Sequence, residues 1–340
     1  MSINKTVRMK PVLDGDFWMI GDTPDLGELN RYDEGTGRRI QQSVDHHVFQ
    51  DIFGKWHLWG CIRGTKVGRI LYHWEADEIT DSHWRRTGEI IRADPHFGES
   101  IHEWDGDEWI QSPFVVKENG RFYMFYGGHA SEVDVRGRPV QYDPNESREM
   151  ICAKSGCQIC LLISENGRDW IRYKDVRGYS RLFVGPGEAR DPNLIKIEGL
   201  WYLYYAGAHL DASGEPASAI YLRTSQDLIH WSNYEIVHFD YRPEVGDGGM
   251  WTHECPHVVK RGGYYYLFRT ENYAGRLTHV YRSNEPRDFG KGEDAVEKYA
   301  GLFPVAAPEI IVDSVGDEYI TSNHDLVGGT MICRLKWVED

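Results

Sequence analysis

The chain has 340 residues and a formal net charge of −15, from 38 Lys and Arg against 53 Asp and Glu. That balance argues against a nucleic-acid partner, whose phosphates need basic surfaces. No apolar run is long enough for a membrane-spanning helix, so no membrane partner is expected either.

The start, Met1-Ser2-Ile3-Asn4-Lys5-Thr6-Val7-Arg8, has no apolar signal-peptide core, so a cytoplasmic location is expected. Asp14 to Ser43 reads as loop, except that Phe17-Trp18-Met19-Ile20 is expected to supply a strand that closes a ring against the last segment. Five segments then share one syntax: a short apolar strand, a glycine turn and an aromatic strand, which together predict a hairpin. They begin near residues 45, 112, 191, 254 and 307, and their turns fall at Gly54, Gly120, Gly199, Gly263 and Gly316. Each glycine lies seven or eight residues after a proline, or after His46 where the proline is missing.

Every hairpin is followed by a third strand-like run: Arg69 to Trp74, Ile159 to Ser164, Ala219 to Arg223, His279 to Arg282 and Met331 to Leu335. A turn and an aromatic come next, at His83-Trp84, Asp169-Trp170, His230-Trp231, Asp288-Phe289 and Lys336-Trp337. Helical periodicity is almost absent. Uniform repeats of this kind predict an all-β fold, a five-bladed β-propeller spanning 1–340 as a single domain. The share of about 68 residues per unit exceeds the roughly 40–50 of a compact blade, so loops absorb the excess. The largest is Gly128 to Met150, a polar insertion between the second and third strands of the second blade.

The cysteines at 61, 152, 157, 160, 255 and 333 are expected to be reduced, small hydrophobes. Cys152, Cys157 and Cys160 have a spacing compatible with an iron–sulfur ligand set, but Cys160 lies in Ile159-Cys160-Leu161-Leu162-Ile163, an ordinary buried strand.

In a propeller the innermost strands run along the axis, so residues at their starts converge on one mouth. Three blade starts carry acids, Asp45, Asp191 and Glu254, whereas the second and fifth blades offer Ser112 and Ala307. Carboxyl groups held together push one another's pKa values apart, so that one stays protonated while another is ionised. Glycosidic-bond cleavage needs that division: one acid protonates the leaving oxygen and an opposed carboxylate attacks or activates water.

Arg190-Asp191-Pro192 and Glu254-Cys255-Pro256, with Asp45 upstream, resemble the five-bladed β-propeller glycosidases, the superfamily of β-fructosidases and of the arabinanase/β-xylosidase family. The resemblance runs from about residue 40 to the C-terminus. It implies Asp45 as nucleophile or general base, Glu254 as general acid, and Asp191 as the third acid, which holds substrate hydroxyls and tunes its neighbours. Ser43-Val44-Asp45-His46-His47 departs from the fructosidase nucleophile motif, while Glu-Cys-Pro resembles the fructosidase acid motif, so no fructan substrate is carried over. No cofactor is required by this chemistry, although the arabinanase side of the resemblance allows a structural calcium in the central channel, near a histidine such as His324.

Around the mouth the expected substrate-binding residues are Arg190, His46, His47, His129, His253, His257, His324 and Ser112, with Trp251 as a sugar-stacking platform and Trp59 as core. The expected activity is an O-glycosyl hydrolase acting on a carbohydrate. A phosphorylase or transglycosylase on the same scaffold, or a carbohydrate-binding propeller without catalysis, are the alternatives. A basic, phosphate-binding group near Asp45 would favour the phosphorylase.

Overall fold

A computed structural model describes residues 6–100, 108–140, 143, 145–246, 249–323 and 328–340; of His129 and Ala130 it describes the backbone only. Alternating apolar strands joined by glycine turns form five sheets, antiparallel except where the short strand Glu108–Trp109 pairs in parallel with Gly68–Ala76, and the first strands of blades 1 to 4 touch in succession around an axis. Blade 1 runs outward as Gln42–Gln50, Trp56–Thr65, Gly68–Ala76 and Arg85–Ile91. Blade 2 is Gln111–Glu118, Arg121–Ala130, Cys157–Ser164 and Ile171–Arg172. Blade 3 is Arg190–Ile197, Leu200–Leu210, Pro216–Ser225 and Glu235–His238. Blade 4 is Glu254–Arg261, Tyr264–Asn272, Leu277–Ser283 and Tyr299–Phe303. Blade 5 takes Ile310–Val312, Glu318–Asn323 and Thr330–Glu339 from the end of the chain, and its outermost strand, Met9–Gly21, from the beginning.

The closure pairs Met9 with Glu339 and Gly21 with Thr330. The fold is therefore the five-bladed β-propeller that the repeats predict, and the closing strand is longer than its Phe17–Ile20 core. Two local expectations change. Lys336 and Trp337 lie inside the last strand rather than after a turn. The insertion in blade 2 contains a helix, Arg148–Lys154, whose first turn is capped by the Ser147 hydroxyl accepting from the Met150 amide.

The glycine turns follow from backbone sterics. Gly54, Gly120, Gly199, Gly263 and Gly316 all have φ between 81° and 92°, a region that costs an L-residue with a Cβ. In blades 2, 3 and 4 the preceding residue is left-handed too, Asn119 at 50°, Glu198 at 49° and Gly262 at 57°, the two-residue hairpin turn that matches strand twist. Blades 1 and 5 use longer loops, in which Asp51 and Asp313 each accept backbone N–H groups two and four residues on.

The core lies between blades. Trp56, Trp74, Ile311 and Tyr319 fill the gap between blades 5 and 1, and Trp59, Val115, Met124 and Tyr126 that between blades 1 and 2. Phe125, Ile159, Leu203 and Tyr205 join blades 2 and 3, Tyr204, Leu222, Leu267 and Tyr281 join 3 and 4, and Phe268, Ile320 and Cys333 join 4 and 5. Burying such side chains contributes roughly 1.5–3 kcal/mol each, which holds the inner strands at fixed angles about the axis. Trp59 is core, as expected. All six cysteines are free thiols, and burial raises the pKa values of Cys61, Cys152, Cys157 and Cys160, which keeps those thiols protonated. No helix among the described residues is long and apolar enough to cross a membrane.

Candidate active site

Each inner strand begins with a residue in the left-handed region: Asp45 (φ 20°), Ser112 (54°), Asp191 (56°), Cys255 (47°) and Ala307 (48°). In the first four blades it coincides with a register shift, between Val44/His46, Gln111/Phe114, Arg190/Asn193 and Glu254/His257. None of the five is glycine, and such a conformation costs of order 1 kcal/mol each, held in place by the packed blades. The bulge turns the side chain towards the axis. Proline follows in four blades (Pro113, Pro192, Pro256, Pro308), and His46 takes its place in blade 1.

This register corrects one expectation. The blade-4 counterpart of Asp45 and Asp191 is Cys255; Glu254 stands one residue earlier, level with Val44, Gln111 and Arg190. The acids thus occupy two tiers. Asp45, Ser112, Asp191 and Cys255 line a narrow axial channel, while Glu254 and Arg190 line a wider cavity of about 510 Å³ above it, and Asp45 faces both.

In the axial tier Ser112 Oγ lies 2.9 Å from Asp45 Oδ2 and 2.5 Å from Asp191 Oδ1. A hydroxyl has one proton to donate, so both short contacts are fully satisfied when one of the two carboxyls is itself protonated. Asp191 fits that role: burial and then the Asp45 charge raise its pKa, against the Arg190 guanidinium, the Ser112 hydroxyl and the Cys255 amide, whose nitrogen donates to Oδ2 at 3.0 Å. Asp45 is surrounded by donors. The Tyr273 hydroxyl bonds to its Oδ1, and the Cys255 thiol stands 3.6 Å from the same oxygen. Burial and the Asp45 charge raise Tyr273, and burial and the Asp191 and Asp45 charges raise Cys255, so both keep the proton they donate.

In the upper tier Arg190 is the centre of an acidic triad. Its guanidinium lies 2.8 Å from Glu254, 3.1 Å from Glu188 and 3.5 Å from Asp191. Burial raises the Glu254 carboxyl, the charges of Asp191 and Asp45 add to the rise, and Arg190 opposes it. One buried carboxyl is thereby held near its protonated form beside an aspartate that accepts donors. Trp251 lines the same cavity, with the Arg190 guanidinium 5.3 Å from its ring centre.

The described histidines, His46, His47, His253 and His257, sit elsewhere than a rim. His46 and His257 line the axial channel; His46 Nε2 bonds Thr321 at 2.7 Å, and His257 Nε2 accepts the Ile310 amide at 3.0 Å. His47 pairs with Glu309 at 2.7 Å and packs on Phe114. His253 is fully buried, its Nε2 accepting the Asp240 amide and its Nδ1 donating to Ser218, so both ring nitrogens are spent on the scaffold. The side chain of His129, and His324 altogether, lie outside the described residues.

The described residues of the channel identify no calcium site, and His324 lies outside them. Calcium takes roughly six to eight oxygens. Lower in the channel the donors are imidazoles, Asn193 Oδ1 already accepts the Val258 amide, and Glu309 is held by His47 and the Val48 amide. Among the described residues the group with ligand-like spacing is Asp45, Asp191 and Cys255, whose third donor is a thiol.

The cavity also draws in residues that the repeats do not flag: Tyr273, Gln111, Glu188, Arg63, Arg69 and Arg148. Only Arg69 carried a sequence signal, a charge at the head of the apolar run Arg69 to Trp74.

No family model matches the chain. Its structure is similar to that of a thermostable family-43 glycoside hydrolase (TM-score 0.57, 19% identity, 91% of this chain and 93% of that one). It is also similar to the GH43_1 enzyme from Xanthomonas citri in complex with xylotriose (TM-score 0.53, 12% identity, 87% and 88%). A family 117 glycoside hydrolase from the marine bacterium Zobellia galactanivorans matches over 99% of this chain and 93% of its own, with a TM-score of 0.52 and 14% identity. The chain thus shares the five-bladed propeller fold of glycoside hydrolases of families 43 and 117.

Proposed function

We propose that this protein is a glycoside hydrolase in which Glu254 protonates the leaving oxygen and Asp45 acts as nucleophile or general base. Asp191 is the third acid: it shares Ser112 with Asp45 and Arg190 with Glu254, and so couples the two tiers. The observation that carries this is the division between a carboxyl beside Arg190, raised towards its acid form, and a carboxylate fed by Ser112, Cys255 and Tyr273. That is the acid and base pairing which glycosidic cleavage requires. Oligosaccharides are the favoured substrate class, a choice supported by the cavity of about 510 Å³ with Trp251 on its wall and by the xylotriose bound in a similar structure.

The test is a screen against aryl glycosides and plant or algal oligosaccharides with product identification, followed by kinetics of Asp45→Asn and Glu254→Gln on the best substrate. Each variant should lose on the order of 10²–10⁴-fold in kcat. Wild-type turnover by both would refute the assignment.

A further inference from the structure

Three arginines face the cavity with no ion-pair partner among the described residues. Arg63, Arg69 and Arg148 line it together with Asp45 and Glu254, and among the described residues none has a carboxylate within 4.0 Å. This is notable in a chain of net charge −15, where Arg190 beside them is shared by three acids. Arg69 is 8% exposed and its Nε has no hydrogen-bond partner. A guanidinium does not shed its proton, so burial cannot neutralise it. Its contact with the Trp109 ring, 4.0 Å from the centroid, recovers only a small part of what an unpaired buried cation costs. Arg148 spans from Trp109 at 5.3 Å to Trp251 at 5.6 Å, so an arginine–tryptophan series crosses the wall from Arg69 to Arg190. Gln111 faces the same space, fully buried, with both amide atoms unpartnered.

We propose that Arg63, Arg69 and Arg148, with Gln111, form an oxyanion subsite beside the acids, which takes either a carboxylate or sulfate carried by the sugar or free inorganic phosphate. The inference rests on this cavity being the substrate site. Planar guanidinium forks bind carboxylate, sulfate and phosphate oxygens in pairs, and the amide adds a neutral donor. In the first case the enzyme hydrolyses an acidic or sulfated glycan. In the second, phosphate replaces water: the C1–O glycosidic bond breaks, a phosphate oxygen forms the new bond to C1, Glu254 gives its proton to the leaving oxygen, and the proton of hydrogen phosphate restores it.

Calorimetric titration of the intact protein with inorganic phosphate, sulfate and glucuronate at low salt tests the subsite without needing turnover. At least one of the three should bind wild type and Glu254→Gln alike, and weaken at least tenfold in Arg69→Gln and in Arg148→Gln. Arg148 is exposed on its helix, so that variant keeps the test sound if Arg69→Gln misfolds. Binding of none of the anions, or binding indifferent to Arg148→Gln, overturns the subsite. Activity then separates the sources: uronide or sulfated substrates preferred over neutral ones mark a sugar-borne charge, and a sugar 1-phosphate formed with added phosphate marks phosphorolysis. Anion binding with no turnover on any glycan would leave the subsite standing and refute the hydrolase assignment instead.

Discussion

Arg190 donates from Nη2 to Oε1 of Glu254 across 2.8 Å, although blade 3 supplies the arginine and blade 4 the acid. The same guanidinium holds Asp191 and Glu188, so one buried cation sets the protonation of the upper tier.

Arg190→Met removes the group that opposes the rise of Glu254 and Asp191. Both carboxyls then stay protonated to higher pH, and the basic limb of kcat/KM, which reports loss of the acid's proton, should move up. A pH–rate profile of the variant checks this; an unmoved basic limb would mean that Glu254 is not the titrating acid.

Stability should depend on pH with an unusual sign. Glu254 has a folded pKa above its unfolded value, so its contribution is fully present below the unfolded pKa and is lost as pH rises through the folded one. Asp191 acts in the same direction. Glu254→Gln abolishes that titration while keeping the shape. Its melting temperature relative to wild type should be higher at pH 8 than at pH 5, measured by calorimetry in matched buffers; an equal difference at both would refute the shift.

Tyr273→Phe removes a hydroxyl that donates to Asp45. A hydrogen bond to a charged group contributes about 1.5–3 kcal/mol, which corresponds to a loss of roughly 10- to 150-fold in kcat/KM. Steady-state kinetics of the variant check this; retention of the wild-type rate would show that the tyrosine only packs.

The left-handed positions give a paired stability test. Ala307 adopts φ 48° with a methyl group and no acid to place, so Ala307→Gly should stabilise by up to about 1 kcal/mol. Gly120, at φ 81° with open space where a Cβ would go, should lose about 1 kcal/mol on Gly120→Ala from the backbone alone. Urea denaturation of both variants should show opposite signs.

Local chemistry was legible in the sequence. A glycine at a left-handed turn, an alternating aromatic strand and a proline after a bulge are each written within a few residues, and five repeats of them specify the blades. Asp45 and Asp191 at strand starts follow from the same pattern. The tertiary structure decided what depends on register and convergence. The blade-4 bulge keeps the register of those in blades 2 and 3, so Cys255 takes the axial place and Glu254, one residue earlier, stands at the mouth beside Arg190. Ring nitrogens of His46, His253 and His257 meet backbone groups and side chains of distant strands, contacts that no local pattern places. Tyr273, Arg63, Arg69 and Arg148 come from blades 4, 1 and 2, with no shared motif, and only the closed ring brings them to one cavity. Turn and strand preferences act over a few bonds, whereas a site at the axis is made by contacts between residues tens to hundreds of positions apart.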